Sequence, residues 1–322
     1  KLTFGNPVNF TKRKDYDNQP SFSPDGLALF YTVIGEDRQA EIYRYALETG
    51  ATTRMTQTAE SEYSPTVTPD GKYFSVIRVE ADSSQRLWKF PLAGGQPELI
   101  LESIKPVGYH VWADAKTLVL FVLGTPNTLQ IVDVPTQQAE TITTNIGRSL
   151  QKVPGSGQVS FVQRVSDNDM VIKSLEPHTR KITPLVKLLP GSEYCAWTPD
   201  GLLLMATGAK IFKLKLAKDK DWQEVADFSK EGVKGISRIA VSPKGNKVRL
   251  TEKETAILRY LYRAGQRPVS RETLLQEVWG YNSGVTTHTL ETHIYGLRQK
   301  VEKDAASPSI LVTEAGGYKL VP

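Results

Sequence analysis

SFSPDGLALFYTV, residues 21–33, carries a complete hairpin signal. Ser21 and Phe22 close one strand. Pro24-Asp25-Gly26 makes a turn, in which proline presets φ and glycine supplies a left-handed residue without a Cβ clash. The aliphatic, aromatic and β-branched run that follows reads as a second strand. Five further stretches repeat the pattern: PTVTPDGKYFSVIRV from Pro65, YHVWADAKTLVLFVL from Tyr109, LQKVPGSGQVSFVQRV from Leu150, YCAWTPDGLLLMAT from Tyr194 and RIAVSPKGNKVRL from Arg238. Successive turns lie roughly 41 to 45 residues apart, the period of a β-propeller blade of four antiparallel strands. AEIYRYALETGATTRMTQ, residues 40–57, shows an outer strand pair with Glu48-Thr49-Gly50 as its hairpin. Six turns predict six blades. The expected fold class is mainly β: a six-bladed β-propeller over residues 1–246, followed by a small α+β domain over 247–322.

The xxSPDGxxxxF pattern over residues 18–246 resembles the TolB-like, WD-repeat-like propellers common in bacterial envelope proteins. Pro-Asp-Gly is strict in three units and degenerate in Ala113-Asp114-Ala115, Pro154-Gly155-Ser156 and Pro243-Lys244-Gly245. Propellers bind ligands at the mouth of a central channel, where loops leading to the inner strands converge. The residues just before those strands are Asp17-Asn18, Glu62-Tyr63, Tyr109-His110, Arg148, Glu193-Tyr194 and Arg238. They predict a polar, aromatic-lined mouth for a peptide, protein or small-molecule ligand. The other reading of the same residues is strand capping and hydrogen bonding between blades; both stay open.

The remaining chain, LTEKETAILRYLYRAGQRPVSRETLLQEVWGY (250–281), THTLETHIYGLRQKVE (287–302) and ILVTEAGGYKLVP (310–322), changes period. Thr251 and Glu254 have capping-box spacing, and behind them Ile257, Leu258 and Leu261 share a helical face. Ser270 can cap a second helix burying Leu274, Leu275, Val278 and Trp279. Asn282-Ser283-Gly284 is a loop signal. A third helix from about Thr287 aligns Leu290, Ile294, Leu297 and Val301. A terminal hairpin pairs residues 310–313 with 318–321.

LTEKE, RPVSRETLLQEVWG, TLETHIYGLRQK and GGYKL together resemble the OmpR/PhoB-type winged-helix domain of bacterial response regulators. The resemblance implies double-stranded DNA as partner. Position by position, it places Thr289, Thr292, His293, Tyr295, Arg298 and Lys300 on a recognition helix facing the major groove, and Thr313, Tyr318 and Lys319 around a backbone-contacting wing. Two positions depart from the family: Gly296 stands where arginine is common, and Ala315 where a basic residue often precedes the wing glycines. Usually this domain follows a phosphoacceptor receiver domain; here a propeller occupies that place.

Composition narrows the function further. The 322 residues are 39% apolar and 23% charged, with a net charge of +5 that permits nucleic-acid binding. No apolar run approaches the roughly 18 residues that span a membrane. The chain begins at Lys1 rather than Met, which leaves room for a leader or upstream segment. One cysteine, Cys195, excludes an intrachain disulfide, and four scattered histidines show no metal-ligand spacing, so neither a metal nor a cofactor is expected. No G-x-S-x-G elbow or hydrolase domain accompanies the propeller, and the chain reads as a non-enzyme. The hairpin of residues 238–250 is claimed by both modules; propeller closure, with a strand from residues 1–11, is expected to keep it. Two functions stay open. One is a cytoplasmic DNA-binding transcriptional regulator with the propeller as sensor or interaction module. The other is a propeller scaffold whose winged-helix tail is vestigial or comes from an artificial or recent fusion.

Overall fold

In the computed structural model, the second strand of each of the five blades is buried along most of its length, packed against a neighbouring blade. The structure describes residues 2, 4–166, 169–244, 250–281, 288–302 and 304–321. The chain divides into two units, Lys1–Gly245 and Asn246–Pro322.

Blade 1 is the antiparallel meander β1 (Asp17–Phe22), β2 (Ala28–Ile34), β3 (Ala40–Ala46) and β4 (Thr52–Arg54). Blade 2 is β5 (Ser61–Val67), β6 (Tyr73–Val79), β7 (Gln85–Pro91) and β8 (Glu98–Leu99). Blade 3 is β9 (Val107–Trp112), β10 (Thr117–Val122), β11 (Thr128–Asp133) and β12 (Gln138–Thr144). Blade 4 is β13 (Ile146–Lys152), β14 (Val159–Arg164), β15 (Met170–Leu175) and β16 (Ile182–Lys187). Blade 5 is β17 (Cys195–Trp197), β18 (Leu203–Thr207), β19 (Lys210–Leu214) and β20 (Gln223–Asp227).

The turns between first and second strands follow the chemistry of their sequence. Ser23, Thr68 and Thr198 donate their hydroxyls to Asp25, Asp70 and Asp200 at 2.6, 2.6 and 2.5 Å. The glycines that follow take φ of 62°, 68° and 76°, where an L side chain is strained. Apolar cores then form between blades. Phe30 and Ile42 of blade 1 meet Phe74, Val76 and Phe90 of blade 2, with Phe74 and Phe90 stacked at 5.4 Å. Each fully buried phenylalanine of this kind stabilises the fold by roughly 1.5–3 kcal/mol. Between blades 2 and 3, Trp112 donates to Ser75 at 2.9 Å; between blades 4 and 5, Trp197 repeats the contact with Ser160 at 2.9 Å.

The ring has five complete blades, not the six that its turns predict. Among the described residues, cores fill the junctions of blades 1–2, 2–3, 3–4 and 4–5, and no equivalent cluster joins blade 5 to blade 1. Among the described residues, the sixth unit supplies only an inner segment, and residues 236–242 belong to no strand. Its turn rests against that of blade 1, where a Cβ on Gly26 would lie 2.9 Å from Ser242 Oγ. The physical reason is chain length. Thr251 already caps the next domain's first helix, so too few residues remain for the other strands of a blade. Residues 245–249, which include most of the expected second strand of the 238–250 hairpin, lie outside the described residues. Among the described residues of the N-terminal segment no closing strand forms either. Instead Phe4 meets Phe228 beyond blade 5 at 5.9 Å, and Phe10 meets Tyr31 and Tyr45 of blade 1 at 5.5 and 4.6 Å.

The second unit is α1 (Glu252–Arg263), α2 (Arg271–Trp279), α3 (Thr289–Val301), β21 (Leu311–Glu314) and β22 (Gly317–Leu320). Thr251 and Glu254 form both bonds of the capping box, at 3.2 and 2.7 Å, and Ser270 accepts from Thr273 N–H at 3.1 Å. Ile257, Leu261, Leu274, Leu275, Val278, Leu290, Ile294, Leu297 and Leu311 make one core. Trp279, Leu258 and Val301, expected inside, are only half-buried. The Asn282-Ser283-Gly284 loop and the expected helix start at Thr287 lie outside the described residues.

Candidate functional site

In the C-terminal unit, burial of Leu290, Ile294 and Leu297 turns the opposite face of α3 outward. Thr292, Tyr295 and Gln299 are exposed there at helical spacing, and Tyr295 is 66% accessible. Gln299 was not among the expected contacts. Its spacing from Thr292 and Tyr295 is the signal that finds it. The Thr292 hydroxyl donates to the His288 carbonyl at 3.0 Å.

Other expected contacts are held within the domain. Lys300 Nζ lies 2.8 and 2.7 Å from the two carboxylate oxygens of buried Glu254, tying α3 to α1. Burial opposes the charge on Glu254, but Lys300 and the Thr251 backbone N–H outweigh it and hold the carboxyl below the ordinary glutamate range. Gly296 makes room for this pair: a Cβ there would sit 3.3 Å from Glu254 Oε1. His293 Nδ1 donates to the Thr289 carbonyl at 2.8 Å, and its ring lies edge-on to Trp279 at 5.2 Å. Thr289 itself is half-buried in the first turn of α3. Arg298 Nε donates to the Leu311 carbonyl at 2.9 Å and Nη2 to Thr313 Oγ1 at 2.7 Å, fixing the wing to α3.

The wing is a tight hairpin in which Thr313 pairs with Tyr318 across an Ala315-Gly316 turn. Lys319 is paired with Glu314 at 3.0 Å. Tyr318 and Val269 exchange both backbone hydrogen bonds at 2.9 Å, joining the wing to the segment before α2. Half-buried Tyr318 has its phenol pushed above the ordinary range, chiefly by burial. The outward surface is thus Thr292, Tyr295 and Gln299 on α3, flanked by the Arg298–Thr313 bracket.

In the propeller, the inner strands and residues 238–243 surround a cavity of ≈ 670 Å³. Of the expected mouth residues, Tyr109, Arg148, Tyr194 and Arg238 converge on it. Arg238 Nη2 donates to both Tyr109 Oη and Tyr194 Oη at 2.9 Å, with its guanidinium 5.1 and 4.2 Å from the two ring centroids. His110 borders the cavity but its ring is buried, with Nε2 2.7 Å from Ser75 Oγ; burial lowers it to about 3. It serves the contact between blades 2 and 3.

Three acids lie away from this mouth. Glu62 is fully buried, bonded by Thr58 at 2.6 Å with Arg78 at 3.4 Å, and burial pushes its carboxyl up to about 7. Asp17 pairs with Arg13 at 3.3 Å. Glu193 borders a separate cavity of ≈ 300 Å³. Tyr63 packs against the core between blades 2 and 3. Blades 1 and 2 instead present Gln19 and Ser64 to the main cavity. Counting back six residues from the turn residues Asp25, Asp70, Asp200 and Lys244 reaches Gln19, Ser64, Tyr194 and Arg238. That repeat position is the signal that the strand-start criterion missed. Among the described residues, no group of three or more His, Cys, Asp or Glu is placed to hold a metal ion. No described helix is long and apolar enough to cross a membrane.

Comparison with known proteins gives each unit a relationship. Residues 245–320 match the family described as "Transcriptional regulatory protein, C terminal". The sensory transduction protein RegX3 of Mycolicibacterium smegmatis is 42% identical over 86 residues, covering 26% of this chain and 38% of that protein. The DNA-binding response regulator MtrA of the same organism is 37% identical over 83 residues, covering 26% of this chain and 36% of that protein. The match thus spans less than two-fifths of either relative's length. A putative TolB from Agrobacterium tumefaciens superposes with a TM-score of 0.59 at 15% identity, over 72% of this chain and 88% of that one. TolB from Acinetobacter baumannii gives 0.53 at 15% identity, over 65% and 56%. The C-terminal unit is an OmpR/PhoB-type domain, and the N-terminal unit has a TolB-like propeller fold.

Proposed function

We propose that the chain is a DNA-binding transcriptional regulator, with a propeller module over residues 1–246 and a DNA-binding module over 247–322. The match of residues 245–320 to transcriptional regulatory domains carries this reading. In it, α3 enters the major groove and Thr292, Tyr295 and Gln299 meet base edges or phosphates. Arg298 and Thr313 hold the wing over the flanking backbone. The propeller is the sensor or interaction module, the chain is not an enzyme, and its meeting with DNA places it in the cytoplasm. Selection from a randomised duplex pool tests the reading: a recovered consensus supports it, and a pool that stays random after repeated rounds refutes it.

A second reading is favoured by one observation. Lys300, Lys319 and Arg298, the cations expected at DNA, are all engaged inside the domain. If they stay so engaged, DNA affinity is weak and the propeller is the functional module, acting as a non-enzymatic scaffold.

A further inference from the structure

The propeller mouth gathers positive charge without an acid to meet it. Arg238 donates to the phenol of Tyr194, and Arg148 lines the same cavity close enough to act on that phenol. Two guanidiniums therefore face one cavity around uncharged phenols. Among the described residues neither has a carboxylate within 4.0 Å. Glu193 acts on Arg148 from beyond that distance, and both residues also line the neighbouring cavity. The phenol does not supply the missing charge, since burial pushes Tyr194 up to about 12. Like charges brought together in a concave site repel, and an anion between them relieves the repulsion.

The surroundings fit a ligand of moderate size. The ≈ 670 Å³ cavity falls among small-molecule pockets. Its wall includes Ser64, whose buried hydroxyl has no hydrogen-bond partner among the described residues. Tyr109 and Tyr194 accept from Arg238 and also interact with each other, which leaves one phenol O–H to donate. Planar guanidinium forks match carboxylate and phosphate oxygens, and the tyrosine faces can cover an apolar body.

We propose that the propeller mouth binds a small organic anion, with Arg148, Arg238 and a hydroxyl of the Tyr109–Tyr194 pair holding its carboxylate or phosphate head. This deepens the reading of the propeller as a sensor and rests on it only for the link to DNA.

Calorimetric titration of the full chain in low-chloride buffer tests the site, with phenylacetate and inorganic phosphate as separate probes. Saturable binding of phenylacetate alone identifies a carboxylate head; binding of phosphate identifies a phosphate head. In either case Arg238→Gln and Arg148→Gln each weaken binding by about tenfold or more, as loss of a charge-assisted hydrogen bond requires, while Arg238→Lys retains part of it. Circular dichroism melts verify that each variant is folded. No saturable binding of either probe up to tens of millimolar overturns the proposal, as does binding that both glutamine variants leave unchanged. Anion binding that leaves DNA affinity untouched supports the site and removes only the sensor role.

Discussion

Gly317 is the residue on which the wing's position most depends. Its φ is +127°, and a Cβ there would lie 2.0 Å from the Val269 carbonyl oxygen and 2.6 Å from its carbon. Both contacts are backbone, so no side-chain rotation relieves them. Gly317→Ala must either hold a strained conformation, at roughly 1–3 kcal/mol, or move the wing away. Moving it breaks the two Val269–Tyr318 backbone bonds, each contributing about 0.5–1.5 kcal/mol. The expected loss is on the order of 3 kcal/mol, local to the wing. Hydrogen exchange reads it directly: the amides of Val269 and Tyr318 should exchange about a hundredfold faster. Gly316→Ala is the matched control, because its Cβ would meet only the Pro268 side chain, at an ordinary 3.4 Å. If Gly317→Ala exchanges like Gly316→Ala, the argument from close approach is wrong.

Four other outcomes follow from buried or engaged charges. Lys300→Met should cost stability, about 1–3 kcal/mol in urea unfolding of the C-terminal unit, because Glu254 is left buried without its partner; equal stability with lost DNA affinity would reverse this assignment. The lowered Glu254 carboxyl adds stability above the ordinary glutamate range that is lost as pH falls through its folded value, and this acid-side loss should shrink in the Lys300→Met chain. Glu62 works in the other direction: between about 4.5 and about 7 the folded state keeps a proton that the unfolded chain has lost. Propeller stability should therefore fall as pH rises through that window, by on the order of 3 kcal/mol at most, and level off above it. Melting curves of Glu62→Gln should lack that slope; an unchanged slope would assign it elsewhere. Arg298→Ala should loosen β21 by about 1–2 kcal/mol through its two lost bonds and weaken binding to all duplexes alike, which exchange and anisotropy can separate.

Local signals were legible in the sequence because their partners lie a few residues apart. The Thr251–Glu254 box, the Ser270 cap, the Pro-Asp-Gly turns and the wing hairpin all depend on short-range chemistry. The sixth blade misled for the same reason. A Ser-Pro-Lys-Gly turn marks only where an inner segment ends and carries no information about the outer strands, which the chain never reaches before Thr251. At the site, Lys300 and Arg298 read as exposed cations on a helix, yet their partners Glu254 and Leu311 come from other elements. Glu62 and His110 stand just before or within inner strands, where burial between blades decides their environment and sequence spacing does not show it. Arg238 was legible because it stands at the start of an inner segment; that it would lie across two tyrosines from blades 3 and 5 was not readable.

The central claim is that the face of α3 bearing Thr292, Tyr295 and Gln299 reads DNA. Fluorescence anisotropy of the full chain against a selected duplex and a scrambled one, at low and near-physiological salt, tests it most directly beside the Thr292→Ala/Tyr295→Ala/Gln299→Ala variant. Preference for the selected duplex that persists at higher salt, and is lost in the folded triple variant, is the predicted result. Binding that ignores sequence, vanishes with salt and is the same in the variant would contradict the account.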